Sequence, residues 1–130
     1  MGICSRWARQ VGFPWGNAFD GARVVWNTDG TSPVGSKSGG SSWVGALDMS
    51  GNGAEWVSSV YRNYPYQATD GREDSASSNS RVLRGGSWAN TGAYGLRTTY
   101  RVTELPAEST NYGGFRCARS ADGSAPGAGD

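Results

Sequence analysis

Apolar residues come in short clusters along this chain, and no cluster is long. Val24, Val25 and Trp26 form one, residues 43–47 a second, Val82 and Leu83 a third. Between them lie NTDGTSPVGSKSGGSS at 27–42, DMSGNG at 48–53 and RNYPYQATDGREDSASSNS at 62–80. Such stretches form turns and loops, because Gly reaches positive φ, Pro presets φ, and Asn, Asp and Ser bond their own backbone. PWGN at 14–17 reads as a further tight turn. The segment 54–61, AEWVSSVY, places Trp56, Val57, Val60 and Tyr61 on one helical face. Its β-branched and aromatic content also fits a strand, and we read it as a strand. Residues 24–26 are expected to form a short buried strand. Residues 81–83 are expected to form another, stopped by Gly85 and Gly86. A third is expected at 114–118, with Phe115 and Cys117 on one face and Arg116 on the other. Trp15, Trp26, Trp43, Trp56 and Trp88 are expected in the core, since each carries a large apolar area.

Composition narrows the picture. The 130 residues suit one domain, expected over 1–119, with the polar stretch SADGSAPGAGD at 120–130 as a flexible tail. Hydrophobic content is 36%, but six Trp and six Tyr compensate in buried area. Twenty-one glycines argue for many turns and against long helices. A net charge of +1 supplies no basic field, so no nucleic-acid partner is expected. No run approaches the roughly 20 apolar residues that span a bilayer, and MGICSRWARQVGF has no apolar core of a signal peptide. No membrane insertion is expected, and the compartment stays open. Cys4 and Cys117 fit either one bridge or two separate thiols. The chain has no histidine. That excludes Ser-His-Asp and Cys-His catalysis, His-ligated zinc and the two-His iron site within this chain.

The last third has a different texture. RVLRGGSW at 81–88 and GFRCAR at 114–119 are Gly- and Arg-anchored blocks. Between them runs a polar segment studded with tyrosines, Tyr94, Tyr100 and Tyr112. Tyr with small polar residues is the composition of paratopes, because Tyr gives rigid amphipathic area and small polar side chains adapt their hydrogen bonds. A fixed frame around such an insert suits display of a binding surface more than catalysis. The tyrosines are expected to be exposed there rather than buried in a Trp-rich core. Glu104 and Glu108 are read as solvated charges rather than an acid–base pair, since nothing in the sequence orients them.

Six pieces, in order, resemble the formylglycine-generating-enzyme family. They are PWGNAFDGAR (14–23), TSPVGS (31–36), LDMSGNGAEWVSS (47–59), RVLRGGSW (81–88), LRTTYR (96–101) and GFRCAR (114–119). The resemblance implies an α+β, C-type-lectin-like fold with short strands and much irregular loop, here without the family's helical N-terminal portion. Oxidase members use a cysteine pair after the GGSW-type block to hold copper and activate oxygen. The equivalent positions here are Asn90 and Gly95, which supply no thiolate. Another branch holds iron with three histidines, which this chain lacks. The resemblance thus implies the fold without that chemistry, and no catalytic cofactor. An oxidase of this kind, or an inactive relative, is the alternative reading. A fixed glycan or small-ligand site is a third.

The same two blocks resemble those of variable proteins of diversity-generating retroelements. In that group a GGSW-like block and a terminal GFR-like block bracket a hypervariable, ligand-binding segment. The resemblance places the variable region at about 81–116 and the varied positions at Ala89, Asn90, Thr91, Ala93, Tyr94, Tyr100, Val102, Thr103, Glu104, Glu108, Thr110, Asn111 and Tyr112. Gly92, Gly95, Leu96, Arg97, Arg101, Pro106 and Gly114 are then scaffold. It implies a protein or cell-surface partner. Asp48, Gly51, Gly53 and Glu55 match the family's calcium loop, which implies a structural calcium ion held by two carboxylates and backbone oxygens. A polar turn without metal is the alternative for those four residues. Arg84, Arg97, Arg101 and Arg116 are expected to hold loops by bonds to carbonyls and carboxylates.

Overall fold

A computed structural model describes residues 11–118. Four strands form one sheet: β1 (Ala54–Val60), β2 (Arg81–Arg84), β3 (Val102–Glu104) and β4 (Gly113–Gly114), in the order β3-β2-β1-β4. β1 is the strand read from its Trp and Val content. It pairs antiparallel with β2, Glu55 opposite Arg84 and Trp56 opposite Leu83. The register breaks before Val60 meets Arg81. β2 pairs antiparallel with β3, and β4 adds in parallel to the other edge of β1. β2 stops where the sequence says it should. Gly85 and Gly86 have φ of 88° and 66°, a region that costs any residue with a Cβ. The remaining regular pieces among the described residues are three 3-10 turns, Gly21–Arg23, Ser38–Gly40 and Ala93–Leu96.

The core gathers side chains from separate loops. Leu83 and Leu96 are fully buried. Phe13, Val24 and Leu96 form a buried cluster, flanked by Trp15, Phe19, Trp26 and Ala93. Phe13 stacks on Trp15 at 5.4 Å, and Phe19 meets Trp26 edge-on at 4.9 Å. Such aromatic pairs add about 0.5–1.5 kcal/mol each beyond the area they bury.

Three expectations need correction. Val24 and Val25 are buried and Trp26 is half-buried, but residues 24–26 form no strand. The Val25 carbonyl is instead taken by the Asn52 N–H at 2.9 Å, so its backbone is satisfied by a turn rather than a ladder. Trp43 is 63% exposed and lies outside the core; Trp15, Trp26, Trp56 and Trp88 are half-buried. The third strand ends at Gly114, and Phe115 and Cys117 both face solvent. Pairing stops there because Arg116 turns its guanidinium to Glu55 and to the Leu47 and Asp48 carbonyls. Cys117 is an exposed free thiol. Cys4 and the tail at 120–130 lie outside the described residues. Among the described residues, no helix is long and apolar enough to cross a membrane.

Candidate functional site

The segment 89–112 leaves the sheet after β2, rejoins it as β3 and leads into β4. Its first half is pinned by backbone. The Trp88 N–H donates to the Asn52 carbonyl, and the Trp88 and Asn90 carbonyls accept from Thr28 and Asn27. Asn52 holds the facing loop as well. Its side-chain oxygen accepts the Ser32 N–H at 2.9 Å, and its amide donates to the Ser32 carbonyl at 3.1 Å. Ser50 Oγ donates to the Leu96 carbonyl at 2.7 Å, and Thr98 Oγ1 donates to the Val11 carbonyl at 2.7 Å. Asn52 carries a left-handed φ of 62°, which Asn tolerates better than most side chains. The turn sequence around it was legible, but its partners twenty and more positions away were not.

The expected varied positions divide by exposure. Ala89, Thr91, Tyr94, Glu108 and Asn111 face solvent, Tyr94 being 70% exposed. Asn90, Ala93, Tyr100, Val102, Thr103, Glu104, Thr110 and Tyr112 are half-buried. Ala93 packs on the core cluster. Val102, Thr103 and Glu104 are β3 itself, opposite Leu83, Val82 and Arg81. Tyr94 meets Tyr100 edge-on at 5.2 Å, so the exposure expected of the tyrosines holds for Tyr94 alone.

Asn90 turns inward. Its Oδ1 accepts the Ser87 N–H at 2.7 Å and would lie 2.9 Å from a Cβ at Gly86. A Cβ built on Gly95 would overlap the Asn90 amide nitrogen. The two positions that the resemblance aligns with the copper-binding cysteine pair of oxidase members are therefore neighbours in space, an amide packed against a bare backbone.

Glu104 is not a solvated charge. Its carboxylate accepts the Tyr112 hydroxyl. That bond, then burial, then the negative charge of Glu104 push the Tyr112 phenol above its usual 10.0. The hydroxyl ties β3 to the residue just before β4, closing the far end of the segment.

The calcium-loop residues are each engaged within the protein. Arg116 Nε donates to both Glu55 oxygens at 2.8 Å, and its Nη2 reaches Glu55 Oε1 at 2.5 Å. Nη2 also reaches the Leu47 and Asp48 carbonyls at 3.1 and 3.2 Å. The Asp48 carboxylate accepts the Gly35 N–H at 2.7 Å. Gly51 donates its N–H to the Gly85 carbonyl, and a Cβ there would overlap Val24 and the Val25 carbonyl. Gly53 sits beside the Tyr112 carbonyl. The structure thus brings the Asp48 carbonyl and the Glu55 carboxylate to one guanidinium. Among the described residues no group of three or more Cys, Asp or Glu converges.

Of the remaining arginines expected to hold loops, Arg84 and Arg101 behave as braces, whereas the Arg97 side chain lies by the Tyr94 ring and forms none of the expected bonds among the described residues. Arg84 donates to the Thr98 carbonyl and the Tyr64 hydroxyl, both at 3.2 Å. Arg101 donates to the Arg62 carbonyl at 3.0 Å and lies over the rings of Tyr61 and Tyr64. Two further braces carried no signal in the sequence. Arg72, 3% exposed, clamps the 62–80 loop through Asp70 and the Asn63 and Pro65 carbonyls. Its hydrogen bonds hold the Asp70 carboxyl below its usual value. Arg81 takes the carbonyls of Ser58, Asp74, Ser75 and Ser77.

A lectin-type sheet with a pinned insert defines the class, and comparison with known proteins gives the family. Residues 5–121 match the sulfatase-modifying factor enzyme 1-like domain, and the chain belongs to that family. It is 36% identical over 118 residues to a hercynine oxygenase of Mycolicibacterium smegmatis, covering 82% of this chain but 27% of that protein. It is 31% identical over 126 residues to the inactive C-alpha-formylglycine-generating enzyme 2 of Mus musculus, covering 84% of this chain and 37% of the relative. The chain therefore spans well under half the length of these relatives. Among solved structures it resembles Treponema denticola variable protein 1, with a TM-score of 0.60 and 27% identity. That match covers 79% of this chain and 39% of the other. The C-type-lectin-like fold of formylglycine-generating type, and the likeness to a variable protein, are thus both met.

Proposed function

We propose that this chain is a non-catalytic, variable ligand-binding protein of the diversity-generating retroelement kind. In this reading it presents residues 89–112 to a protein or cell-surface partner. One observation carries the reading. The backbone of the segment is held at Trp88, Asn90, Leu96 and Thr98 while Ala89, Thr91, Tyr94, Glu108 and Asn111 point to solvent. Exposed positions of that sort accept substitution within about 0.5 kcal/mol each. The likeness to a variable protein supports the same reading. So does Asn90 against Gly95 where oxidases would carry thiols, and so does the lack of histidine.

The test is to sequence the gene and its flanking DNA from many cells of one culture. The reading expects a near-identical partial copy nearby, a reverse transcriptase gene, and differences confined to codons in 89–112 that align with adenines of the copy. Differences scattered evenly along the gene would dismiss it. Copper-dependent oxygen uptake with a cysteine-containing peptide would instead favour the oxidase.

A further inference from the structure

The polar loop after β1 carries three exposed tyrosines, Tyr61, Tyr64 and Tyr66, at 40%, 54% and 56% exposure. It meets the 97–101 stretch through arginines. Arg101 lies 4.7 Å from the Tyr61 ring and 4.1 Å from the Tyr64 ring. Arg84 reaches from β2 to the Tyr64 hydroxyl and the Thr98 carbonyl. Arg97 lies 5.9 Å from the Tyr94 ring, and Tyr94 touches Tyr100. The result is one arginine- and tyrosine-lined surface that runs from the loop onto the insert.

Its charges are unbalanced. The ion pairs among the described residues are Arg23–Asp20, Arg72–Asp70 and Arg116–Glu55. Arg84, Arg97 and Arg101 belong to none of them. Their contacts are carbonyls, a hydroxyl and aromatic faces, none of which neutralises a guanidinium. A guanidinium resting on a tyrosine ring is also ordered in advance, so less side-chain entropy is lost when it takes a ligand. The group that fits its planar fork is a carboxylate.

We propose that Arg84, Arg97 and Arg101, with Tyr61 and Tyr64, form a constant docking site for an acidic protein segment beside the variable face. The proposal rests on the display reading and names residues that reading leaves unvaried. Discrete carboxylates fit better than a nucleic acid. Glu73, which takes the Ser58, Ser59 and Tyr66 hydroxyls, carries its negative charge on the same loop as Tyr61 and Tyr64. A continuous phosphate chain passing along that loop meets this charge, whereas a short acidic segment can end before it, and the net charge of +1 supplies no broad basic field. A constant acidic anchor would hold the partner class while the varied positions select among its members.

The test uses the full chain and fluorescence anisotropy. Three probes are compared: a labelled Glu- and Asp-rich peptide, its Gln and Asn counterpart, and a single-stranded DNA of equal charge. The acidic peptide should bind, weaken with salt, and lose about tenfold or more in affinity with Arg97→Gln or Arg101→Gln, since one hydrogen-bonded charge pair is of that size. Arg101→Lys should recover only part of the loss, because the charge returns without the fork. Among the described residues the Arg97 side chain forms no hydrogen bond and lies by the Tyr94 ring, so Arg97→Gln should melt with the parent. Equal binding of the neutral peptide, tighter binding of the DNA, or no loss in either Gln variant would overturn the proposal. Serine substitutions at Thr91 and Asn111 should leave this binding intact. If those variants unfold, the display reading fails; if they fold and the peptide does not bind, only the docking site fails.

Discussion

Asn90 and its neighbours allow the display reading to be tested by stability alone. Ala89, Thr91, Glu108 and Asn111 are exposed, and none has a side-chain hydrogen bond to the frame. A variant with serine at all four should cost about 2 kcal/mol at the extreme, and less when the individual effects of about 0.5 kcal/mol differ in sign. For a domain of this size, at roughly 3–5 °C per kcal/mol, that extreme is about 6–10 °C, and effects of mixed sign leave a few degrees. Asn90→Ala touches one residue between two of those sites, yet its effect should be larger. It removes the acceptor of the Ser87 N–H, a buried residue at 4% exposure, and empties the space between Gly86 and Gly95. An orphaned buried donor costs about 1–3 kcal/mol before the emptied space is added, so at the same slope a fall of roughly 3–15 °C is expected. Circular dichroism melts of the two variants beside the parent decide the matter. If the four-serine variant falls as far as Asn90→Ala, the outer side chains are structural and the display reading is wrong.

Glu55→Gln should destabilise the chain by about 1–2 kcal/mol in urea unfolding. That is below the usual cost of breaking a fully buried pair, because the Arg116 side chain is 37% exposed and can hydrate. Adding Arg116→Ala to it should cost less than the sum of the two single changes; strict additivity would show that the pair is not coupled. Tyr112 should ionise above the usual tyrosine range in an absorbance titration. Its raised pKa means that its share of stability is intact below about pH 10 and is lost as pH climbs through the folded value. Tyr112→Phe should abolish the late phase; an unchanged titration curve would remove Glu104 as the cause. Melts in calcium and in EDTA should coincide, because Arg116 already occupies Glu55 and the Asp48 carbonyl. A rise of several degrees with calcium would restore the ion to that loop.

Much of the frame was legible because its signals are local. The Trp and Val content of 54–60 and the Gly85-Gly86 stop are properties of adjacent residues, and both became structure. The misreadings share a cause as well. Val24 and Val25 look like a strand, but burial follows from being apolar, while a strand needs a neighbour to pair with, and the neighbour is a turn. Arg116 stands 61 positions from Glu55, so their ion pair left no local signal either. Glu104 and Tyr112 are eight apart across an irregular loop, a spacing with no fixed geometry. Trp43 was assigned to the core by residue type alone, and its glycine- and serine-rich loop carries it outward.

If the 89–112 codons are rewritten from copy to copy, as the display reading holds, the order of the sheet has a consequence. β4 and Arg116 are encoded downstream of that segment, yet β4 covers the open edge of β1 and Arg116 neutralises Glu55. A copy that shifts frame or stops inside the segment supplies neither. It leaves a bare strand edge ready to pair with other chains, and a carboxylate that has lost its counter-charge. Under that reading, translation through residue 116 acts as proofreading at the level of the folded molecule, passing only copies whose reading frame survives the segment.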